Sequence, residues 1–288
     1  MIDAVVVAHG QADVTARACR SIRASGGGVA SLTIVDTADD PALDALANDA
    51  TLDATVLARA DNPGYGAAAN AGAHPGRAPM ILVANADVWV HPGALDELAR
   101  ALDDAPDAAC AGPLLLNTDG SPQDSAFAFP GLGQAVFDLL PLPSRVRGSR
   151  LNGRLWSKDG ARDVDYVLGA FMLMRRRALE LVGGFSSAYW MYAEEVDLCR
   201  RFWDDGWRVR FVPSAHVTHI RAATTSAQDK VMLPQLYRSR ARWYRRHATR
   251  PMSSVAIGLM WLMLGARARL PGPRREAYAA AQAALKPD

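Results

Sequence analysis

The sequence is poor in cysteine, which argues against two common ways of holding a domain together. Its 288 residues contain three cysteines, Cys19, Cys110 and Cys199, with no C-x-x-C spacing among them. Structural zinc sites and disulfide frameworks normally need closely spaced or paired cysteines. We therefore predict neither feature. A reducing compartment, with a cytoplasmic location, is the simplest interpretation.

Long apolar runs are also absent. The longest, VAIGLMWLML at 255–264, is shorter than the roughly 20 residues that a helix needs to cross a bilayer. The opening MIDAVVVAHG lacks the basic first region of a signal peptide and is predicted as a strand. The sequence therefore predicts neither a signal peptide nor a run that spans a membrane by itself.

Charge of neither sign dominates, but its distribution is uneven. The 32 Lys and Arg residues oppose 30 Asp and Glu residues, for a net charge of +2. Acidic residues dominate 36–107, and basic residues cluster in 236–250 and 267–275. Basic clusters indicate an anionic partner, either nucleic acid or a phospholipid surface. Because no recognisable nucleic-acid-binding motif accompanies them, we expect no nucleic acid and predict peripheral membrane contact through 236–275. A helix packed on the protein is the alternative.

Hydrophobic patterning predicts an α/β fold. Short β-branched runs alternate with alanine-rich helical stretches over residues 4–102, which predicts a mostly parallel central sheet flanked by helices, with a helical tail at 226–288. The stretch 113–165, rich in Gly, Pro and Ser, is predicted as a surface excursion such as a lid or acceptor loop. Ligands of such sheets bind beyond the carboxyl ends of the strands. The predicted strand ends are Ala8-His9-Gly10, Asp36, Asp61-Asn62, Asn85-Ala86-Asp87 and, after the last strand, His216 and His219.

Two of these strand ends suggest a cation site. Asn85 and Asp87 are two residues apart, so both side chains leave the same face if the strand continues through them. Hard oxygen ligands suit Mg²⁺ or Mn²⁺, with substrate phosphates completing the shell. His219 is a candidate for a further ligand. An N-cap or turn made by the Asx side chains is the alternative.

The stretch YWMYAEEVDLCRRF places three carboxylates, Glu194, Glu195 and Asp197, within four positions. They either open a helix in the order that suits its dipole or form an acid/base cluster whose members raise each other's pKa. The preceding Trp190 and Tyr192 are either wall residues or platforms for a sugar ring.

The stretch NPGYGAAANAG matches the G-x-G-x-x-A pattern of a dinucleotide site, with Asp87 about twenty residues further on. Such a fingerprint normally follows the first strand, whereas the first predicted turn here is AHGQAD. A nicotinamide or flavin site is therefore only an alternative.

Six segments, taken in order, resemble family 2 glycosyltransferases of the GT-A fold, a Rossmann-like α/β architecture, and most of all their bacterial rhamnosyltransferase-like branch. The similarity extends over about residues 3–225 and implies a catalytic domain at 1–225. Its nucleotide-sugar-binding half would be 1–112, and its acceptor-binding half 113–225. The segments are VVVAHG, TIVDTADD, NPGYGAAANAG, LVANADVWVHPGAL, GAFMLMRRRALELVGGF and YWMYAEEVDLCRRFWDDGWRVRFVPSAHVTH.

The resemblance also implies residue roles. Glu195 would be the catalytic base, in place of the family's usual Asp, and Asp87 and His219 would bind Mg²⁺ or Mn²⁺. Asn85 stands where the metal motif usually begins with Asp, and Ala8-His9-Gly10 replaces the usual end of the first strand. Acceptor-binding residues would be Glu194, Asp197, Trp190 and Tyr192. Residues around the nucleotide would be Ala8, His9, Gly10, Asp36, Asn62, Gly64, Tyr65, Gly66, Asn70 and Asn85.

The activity implied by the resemblance is metal-dependent, inverting sugar transfer. The donor would be a dTDP- or UDP-sugar, with L-rhamnose or another deoxysugar first, and the acceptor a hydroxyl of a glycan or polyprenyl-linked glycan. The expected location is the cytoplasm, with peripheral contact at the inner face of the plasma membrane. A module that binds a sugar nucleotide or glycan without transfer is the alternative. A nucleotidyltransferase would carry a glycine-rich, basic loop after the first strand, which AHGQADVTA does not provide.

Overall fold

The computed structural model describes residues 1–132, 160–220 and 229–285. They form two compact units. The sheet unit contains residues 1–128, 160–190 and 194–220, and the helical unit contains 129–132, 191–193 and 229–285. The middle of the predicted surface excursion, 133–159, lies outside the described residues.

Among the described residues, the sheet unit contains a sheet of nine strands. Eight of them follow the order β3-β2-β1-β4-β10-β6-β11-β5, and the ninth, β8, pairs with β11. A short second sheet pairs β7 with β9. The strands are β1 (Ile2–Ala8), β2 (Val29–Asp36), β3 (Thr55–Ala58), β4 (Met80–Asn85), β5 (Val88–Val90), β6 (Ala108–Leu116), β7 (Ala126–Phe127), β8 (Arg162–Val164), β9 (Tyr166–Val167), β10 (Phe171–Arg175) and β11 (Arg208–His219).

The predicted parallel arrangement holds for the first half of the sheet. β1 lies between β2 and β4 and is parallel to both, and β3 is parallel to β2. Six of the seven residues of β1 are buried, as expected of a parallel strand covered on both faces. β10 departs from this pattern because it runs antiparallel between β4 and β6. The α/β fold is therefore confirmed, with a mixed sheet.

Helices cover the sheet and form the second unit. In the sheet unit they are α1 (Ala12–Ala24), α2 (Pro41–Asp44), α3 (Tyr65–Ala73), α4 (Ala94–Asp103), α5 (Arg176–Leu181) and α6 (Glu194–Asp204), and in the helical unit α7 (Asp229–His247), α8 (Arg250–Arg269) and α9 (Arg275–Ala283).

The predicted strand over MILVANADV is interrupted. β4 ends at Asn85, residues 86 and 87 form a turn, and β5 begins at Val88. β5 pairs antiparallel with the end of β11, so that Val88 lies opposite His219. The Ile220 N–H donates to the Asp87 carbonyl at 2.9 Å. This turn brings Asp87 to the end of the last strand, which strand alternation would not have done.

The helical unit holds the basic and apolar clusters of the C-terminal region. Trp243 stacks on Phe129 at 6.2 Å between ring centroids, and Arg274 donates to Asp229 at 2.7 Å. Within the described residues, α8 is the one helix long and apolar enough to cross a membrane by length and composition. The ten-residue apolar run is thus the centre of a helix of 20 residues.

Candidate active site

Three predicted cation ligands meet where β4 and β11 end and β5 begins. The His219 Nε2 atom lies 3.4 Å from Asn85 Nδ2 and 3.5 Å from Asp87 Oδ1. The side chains of Asp87 and His219 are 15% and 10% exposed, so the cluster is largely shielded but remains open on one side. The sheet therefore brings a carboxylate and an amide within 3.5 Å of the same imidazole nitrogen.

This donor set fits a hard divalent cation that is completed by a substrate. Mg²⁺ and Mn²⁺ accept carboxylate, amide oxygen and imidazole ligands, and they often bind through one or two carboxylates plus phosphate oxygens. Among residues 1–132, 160–220 and 229–285, no group of three or more His, Cys, Asp and Glu side chains could hold a metal ion. Asn85, Asp87 and His219 would thus need a diphosphate to complete the shell.

A carboxylate pair begins α6. Glu194 is buried and Glu195 is partly exposed. One oxygen of each, Oε2, is shielded from solvent without a hydrogen-bond partner among the described residues. Because an unpartnered buried oxygen is costly, such atoms mark positions where a ligand or water completes the structure.

The two carboxyls differ in acidity. Burial raises the pKa of Glu194 well above its ordinary value, and the charge of Glu195 raises it further. Burial also raises the pKa of Glu195, but backbone N–H groups, including that of Gly169, partly oppose this rise. The backbone hydrogen bonds therefore favour ionisation at Glu195 over ionisation at Glu194. The pair can supply one base and one neutral acid at the same pH.

Tyr65 connects the carboxylate pair to the cation cluster. Its buried hydroxyl donates to the Gly169 carbonyl at 2.8 Å. Burial raises the pKa of Tyr65 well above its ordinary value, and the charges of Glu194, Glu195 and Asp87 add to this rise. The phenol therefore acts as a hydrogen-bond donor to Gly169. Next to Gly169, the Ala170 carbonyl accepts from the Asn85 N–H at 2.9 Å.

The glycines of NPGYGAAANAG are accounted for by packing. A Cβ on Gly64, whose φ is +92°, would overlap the Trp190 main chain, and one on Gly66 would lie 2.8 Å from the Phe185 Cβ. The segment follows β3 and opens α3, not the first helix after β1. Only glycine permits this approach and this φ. The dinucleotide alternative therefore loses the structural context that it requires.

Asn70 and Trp190 tie this segment together. Asn70 donates to the Phe185 carbonyl at 2.8 Å and accepts from the Phe185 N–H at 2.9 Å. The Trp190 indole N–H donates to the Asn62 carbonyl at 3.0 Å. These contacts fix the entry to α6 against the start of α3. They thereby hold the segment that leads into Glu194 and Glu195.

The predicted nucleotide edge lies at the ends of β1 and β2. The buried Asp36 accepts from the N–H groups of Ala38 at 2.8 Å and Asp40 at 2.7 Å. The exposed His9 lies 3.1 Å from the Thr37 hydroxyl, which donates to the Ala8 carbonyl at 2.9 Å. Asp36 therefore shapes the loop after β2. Gly10, with φ +70°, continues the turn after β1.

Two of the predicted acceptor-binding residues, Asp197 and Tyr192, lie in surroundings that differ from those of the carboxylate pair. The fully buried Asp197 accepts from Arg201 at 2.8 Å within α6, so the helical-pairing interpretation describes this carboxylate. Tyr192 is grouped with the helical unit. Its φ is +67° and that of Ala193 is +65°, an uncommon conformation for such residues.

A known protein family matches the part of the chain that contains the strands and these site residues. The model of the family described as "Glycosyltransferase like family 2" matches residues 2–246, which include every site residue described above. The chain belongs to this glycosyltransferase family. The predicted family is thus confirmed.

Curated relatives of this family 2 member are rhamnosyltransferases. One is the N-acetylglucosaminyl-diphospho-decaprenol L-rhamnosyltransferase of Mycobacterium tuberculosis, 36% identical over 153 residues, which cover 50% of this chain and 48% of that protein. Another is a rhamnosyltransferase of Escherichia coli (strain K12), 43% identical over 56 residues, covering 19% of this chain and 21% of that protein. The match spans about half the length of the first relative.

The fold is shared with solved glycosyltransferases. A mannosyltransferase of Pyrobaculum calidifontis, in complex with GDP-Man and Mn²⁺, superposes with a TM-score of 0.56 at 15% identity, covering 99% of this chain and 79% of that one. At this identity the likeness concerns the fold alone. The predicted GT-A-like architecture is confirmed.

Several residues of the site escaped the sequence analysis. Gly169 contacts both Tyr65 and Glu195, and Thr37 contacts His9. Gln123 lies against His219, with its Oε1 atom 3.2 Å from Nδ1. Gln123 belongs to the Gly, Pro and Ser-rich excursion, where no periodic pattern marks a single buried glutamine.

Proposed function

We propose that this family member is an inverting, metal-dependent glycosyltransferase that moves a sugar from a nucleotide diphosphate donor to an acceptor hydroxyl. The observation that carries the proposal is that Gly169 contacts both Glu195 and Tyr65, while its neighbour Ala170 accepts from the N–H of Asn85 in the cation cluster. A base and a diphosphate-binding cluster thus share one site. The proposed transfer from a nucleotide sugar to a hydroxyl uses both.

In the proposed reaction, Glu195 takes the proton of the acceptor hydroxyl as that oxygen bonds to the anomeric carbon. The bond from this carbon to the donor phosphate oxygen breaks at the same time, and the nucleoside diphosphate leaves. Burial and the charge of Glu195 raise the pKa of Glu194 well above its ordinary value, so we assign the base to Glu195. Asp87, His219 and the Asn85 oxygen would hold the divalent cation. Once bound, that cation supplies positive charge that stabilises the departing diphosphate.

The donor and acceptor classes rest on the relatives. The names of the rhamnosyltransferase relatives favour L-rhamnose, or another deoxysugar, as the transferred group. The choice of dTDP or UDP as its carrier rests on the resemblance in sequence. The decaprenol-linked substrate in the mycobacterial relative's name favours a polyprenyl-linked glycan acceptor. We place the nucleotide along the ends of β1 and β2, where Asp36 orders the loop next to His9.

The function is tested by thermal stabilisation and turnover with a panel of dTDP-, UDP- and GDP-sugars and Mn²⁺. We expect a dTDP- or UDP-deoxysugar to stabilise the protein by about 2.7 kcal/mol at a hundred times its Kd. We also expect transfer to a polyprenyl-diphosphate glycan, with slow donor hydrolysis when the acceptor is omitted. Binding of the donor with neither hydrolysis nor transfer would instead support the non-catalytic binding module.

We also propose that the helical unit holds the enzyme at an anionic membrane surface. Val255 is 50%, Trp261 41% and Leu262 60% exposed, and Arg267 and Arg269 occupy the last turn of the same helix, α8. Exposed bulky apolar side chains next to arginines suit the interface between acyl chains and anionic headgroups. Such a location, at the cytoplasmic face, would keep the site near a lipid-linked acceptor.

Flotation with vesicles tests this location. We expect the protein to float with phosphatidylglycerol vesicles at low salt and less so at high salt, because salt screens the arginine contacts. Leu262→Gln should reduce flotation. Leu181→Gln is the matched control, since Leu181 is 69% exposed but lies in the sheet unit. A parent protein that stays soluble at low salt would exclude the membrane contact.

A further inference from the structure

Gln123 is a buried glutamine whose side chain ends at the ring of His219. It is 1% exposed. We infer that Gln123 is a positioning residue that keeps a proton on Nδ1 of His219 and thereby presents the Nε2 lone pair to the cation. The inference rests on the proposed cation site and adds a residue that supports one of its ligands.

The orientation of the Gln123 amide follows from its partners. The atom assigned as Nε2 lies 3.1 Å from the Leu116 carbonyl oxygen and 2.6 Å from the His219 carbonyl oxygen. Both partners are acceptors only, so this end of the amide must be the NH₂ group. The other end, Oε1, therefore faces His219 Nδ1 at 3.2 Å. A carbonyl oxygen cannot donate, so Nδ1 must carry the hydrogen.

The Gln123 backbone is fixed as firmly as its side chain. Its N–H donates to the Leu115 carbonyl at 2.8 Å, and its carbonyl accepts from the Ser125 hydroxyl at 2.9 Å. Ser125 Oγ also accepts from the Leu115 N–H at 2.8 Å. The glutamine thus cannot turn its amide without breaking several buried hydrogen bonds, each of which is costly to leave unmade.

The consequence falls on the opposite nitrogen of the ring. With Nδ1 protonated, a neutral His219 has its lone pair on Nε2, which faces Asn85 and Asp87. In the metal-free protein the Asn85 Nδ2 group, 3.4 Å away, is the donor that faces this lone pair, and the Asp87 oxygen lies 3.5 Å from the same ring nitrogen. A bound cation would take the place of the Asn85 donor. Histidine ligands commonly donate their second N–H to a carbonyl or carboxylate, which fixes the tautomer and ring orientation.

The tautomer is measured directly by ¹⁵N NMR of the histidine rings in the full-length, metal-free protein, with His219→Asn to assign the signals. We expect protonated Nδ1 and unprotonated Nε2 in the neutral ring. Gln123→Met, which keeps the length but removes both amide functions, should let the ring exchange between tautomers. It should also weaken Mn²⁺ binding, measured with dTDP or UDP present, by about 10–100-fold.

Two further variants separate the tautomer effect from packing. Gln123→Glu retains an acceptor facing Nδ1 and is expected to keep the Nδ1–H tautomer, although it should lower thermal stability because its second oxygen faces the Leu116 and His219 carbonyls. Gln282→Met is the matched control, because the Gln282 amide donates to the Trp261 carbonyl within the helical unit at 3.0 Å. It should change neither the His219 signals nor Mn²⁺ binding.

The outcomes distinguish this inference from the proposed site. An Nε2–H ring in the parent protein would overturn the inference alone, provided that Mn²⁺ with dTDP or UDP still broadens the His219 signals. An Nδ1–H ring whose signals Mn²⁺ leaves unchanged with either nucleotide would overturn the cation site, and the inference with it.

Discussion

Asp87→Ala is expected to abolish the Mn²⁺-dependent part of donor binding, with a loss of roughly a hundredfold or more in affinity. Of the three clustered side chains, Asp87 alone is a carboxylate, and its Oδ1 lies 3.5 Å from His219 Nε2. The variant leaves Asn85 to offer a neutral oxygen and His219 a single nitrogen. Calorimetric titration of dTDP and UDP, with and without Mn²⁺, measures the effect.

The control for this change is Asp103→Ala, which removes an exposed aspartate at the end of α4. It should bind the nucleotides as the parent does. Circular dichroism should show that both variants are folded, because Asp87 is partly exposed and lies in a turn. Equal nucleotide affinity of Asp87→Ala and the parent in Mn²⁺ would remove Asp87 from the site.

Glu195→Gln is expected to lower kcat by about a hundredfold or more while leaving the fold and donor binding nearly unchanged. The amide keeps the shape of the side chain but cannot take the acceptor proton. Because the pKa of Glu195 is raised, kcat of the parent should rise with pH through a value above that of an ordinary glutamate. The variant should lack this rise.

Two neighbouring changes test the assignment of the base. Glu194→Gln replaces a carboxyl that we expect to be neutral, so it should retain far more activity than Glu195→Gln. Glu195→Asp keeps a carboxylate but withdraws it by one methylene from its place beside Gly169, so its kcat should lie between those of the parent and Glu195→Gln. Near-normal turnover by Glu195→Gln would assign the base to another carboxylate, Glu194 or Asp197.

The sequence by itself determined the parallel half of the sheet and the positions of most site residues. VVVA, TIVD and MILVA are short, β-branched and apolar, and helical stretches separate them, so their burial in adjacent parallel strands follows from local composition. Asp36, Asn85 and Asp87 stand where these strands end. Because crossover connections bring such ends to one edge, their proximity could be predicted without coordinates.

The sequence could not determine the chemical state of the carboxylates. Glu194, Glu195 and Asp197 are all acidic and close in sequence, yet Asp197 pairs with Arg201. In the part of the chain that the structure describes, Glu194 and Glu195 each have one oxygen without a hydrogen-bond partner. Burial and hydrogen bonds set a pKa, and both depend on residues distant in sequence, such as Gly169.

Only the tertiary structure decided how the cation cluster is formed. The strand expected through Asn85 and Asp87 ends at Asn85, and a turn followed by β5 brings Asp87 to His219, more than a hundred residues away. The support of His219 by Gln123 is equally non-local. Local periodicity reports which face of an element is buried, but a contact across the sheet depends on register and strand order, which no short stretch of sequence encodes.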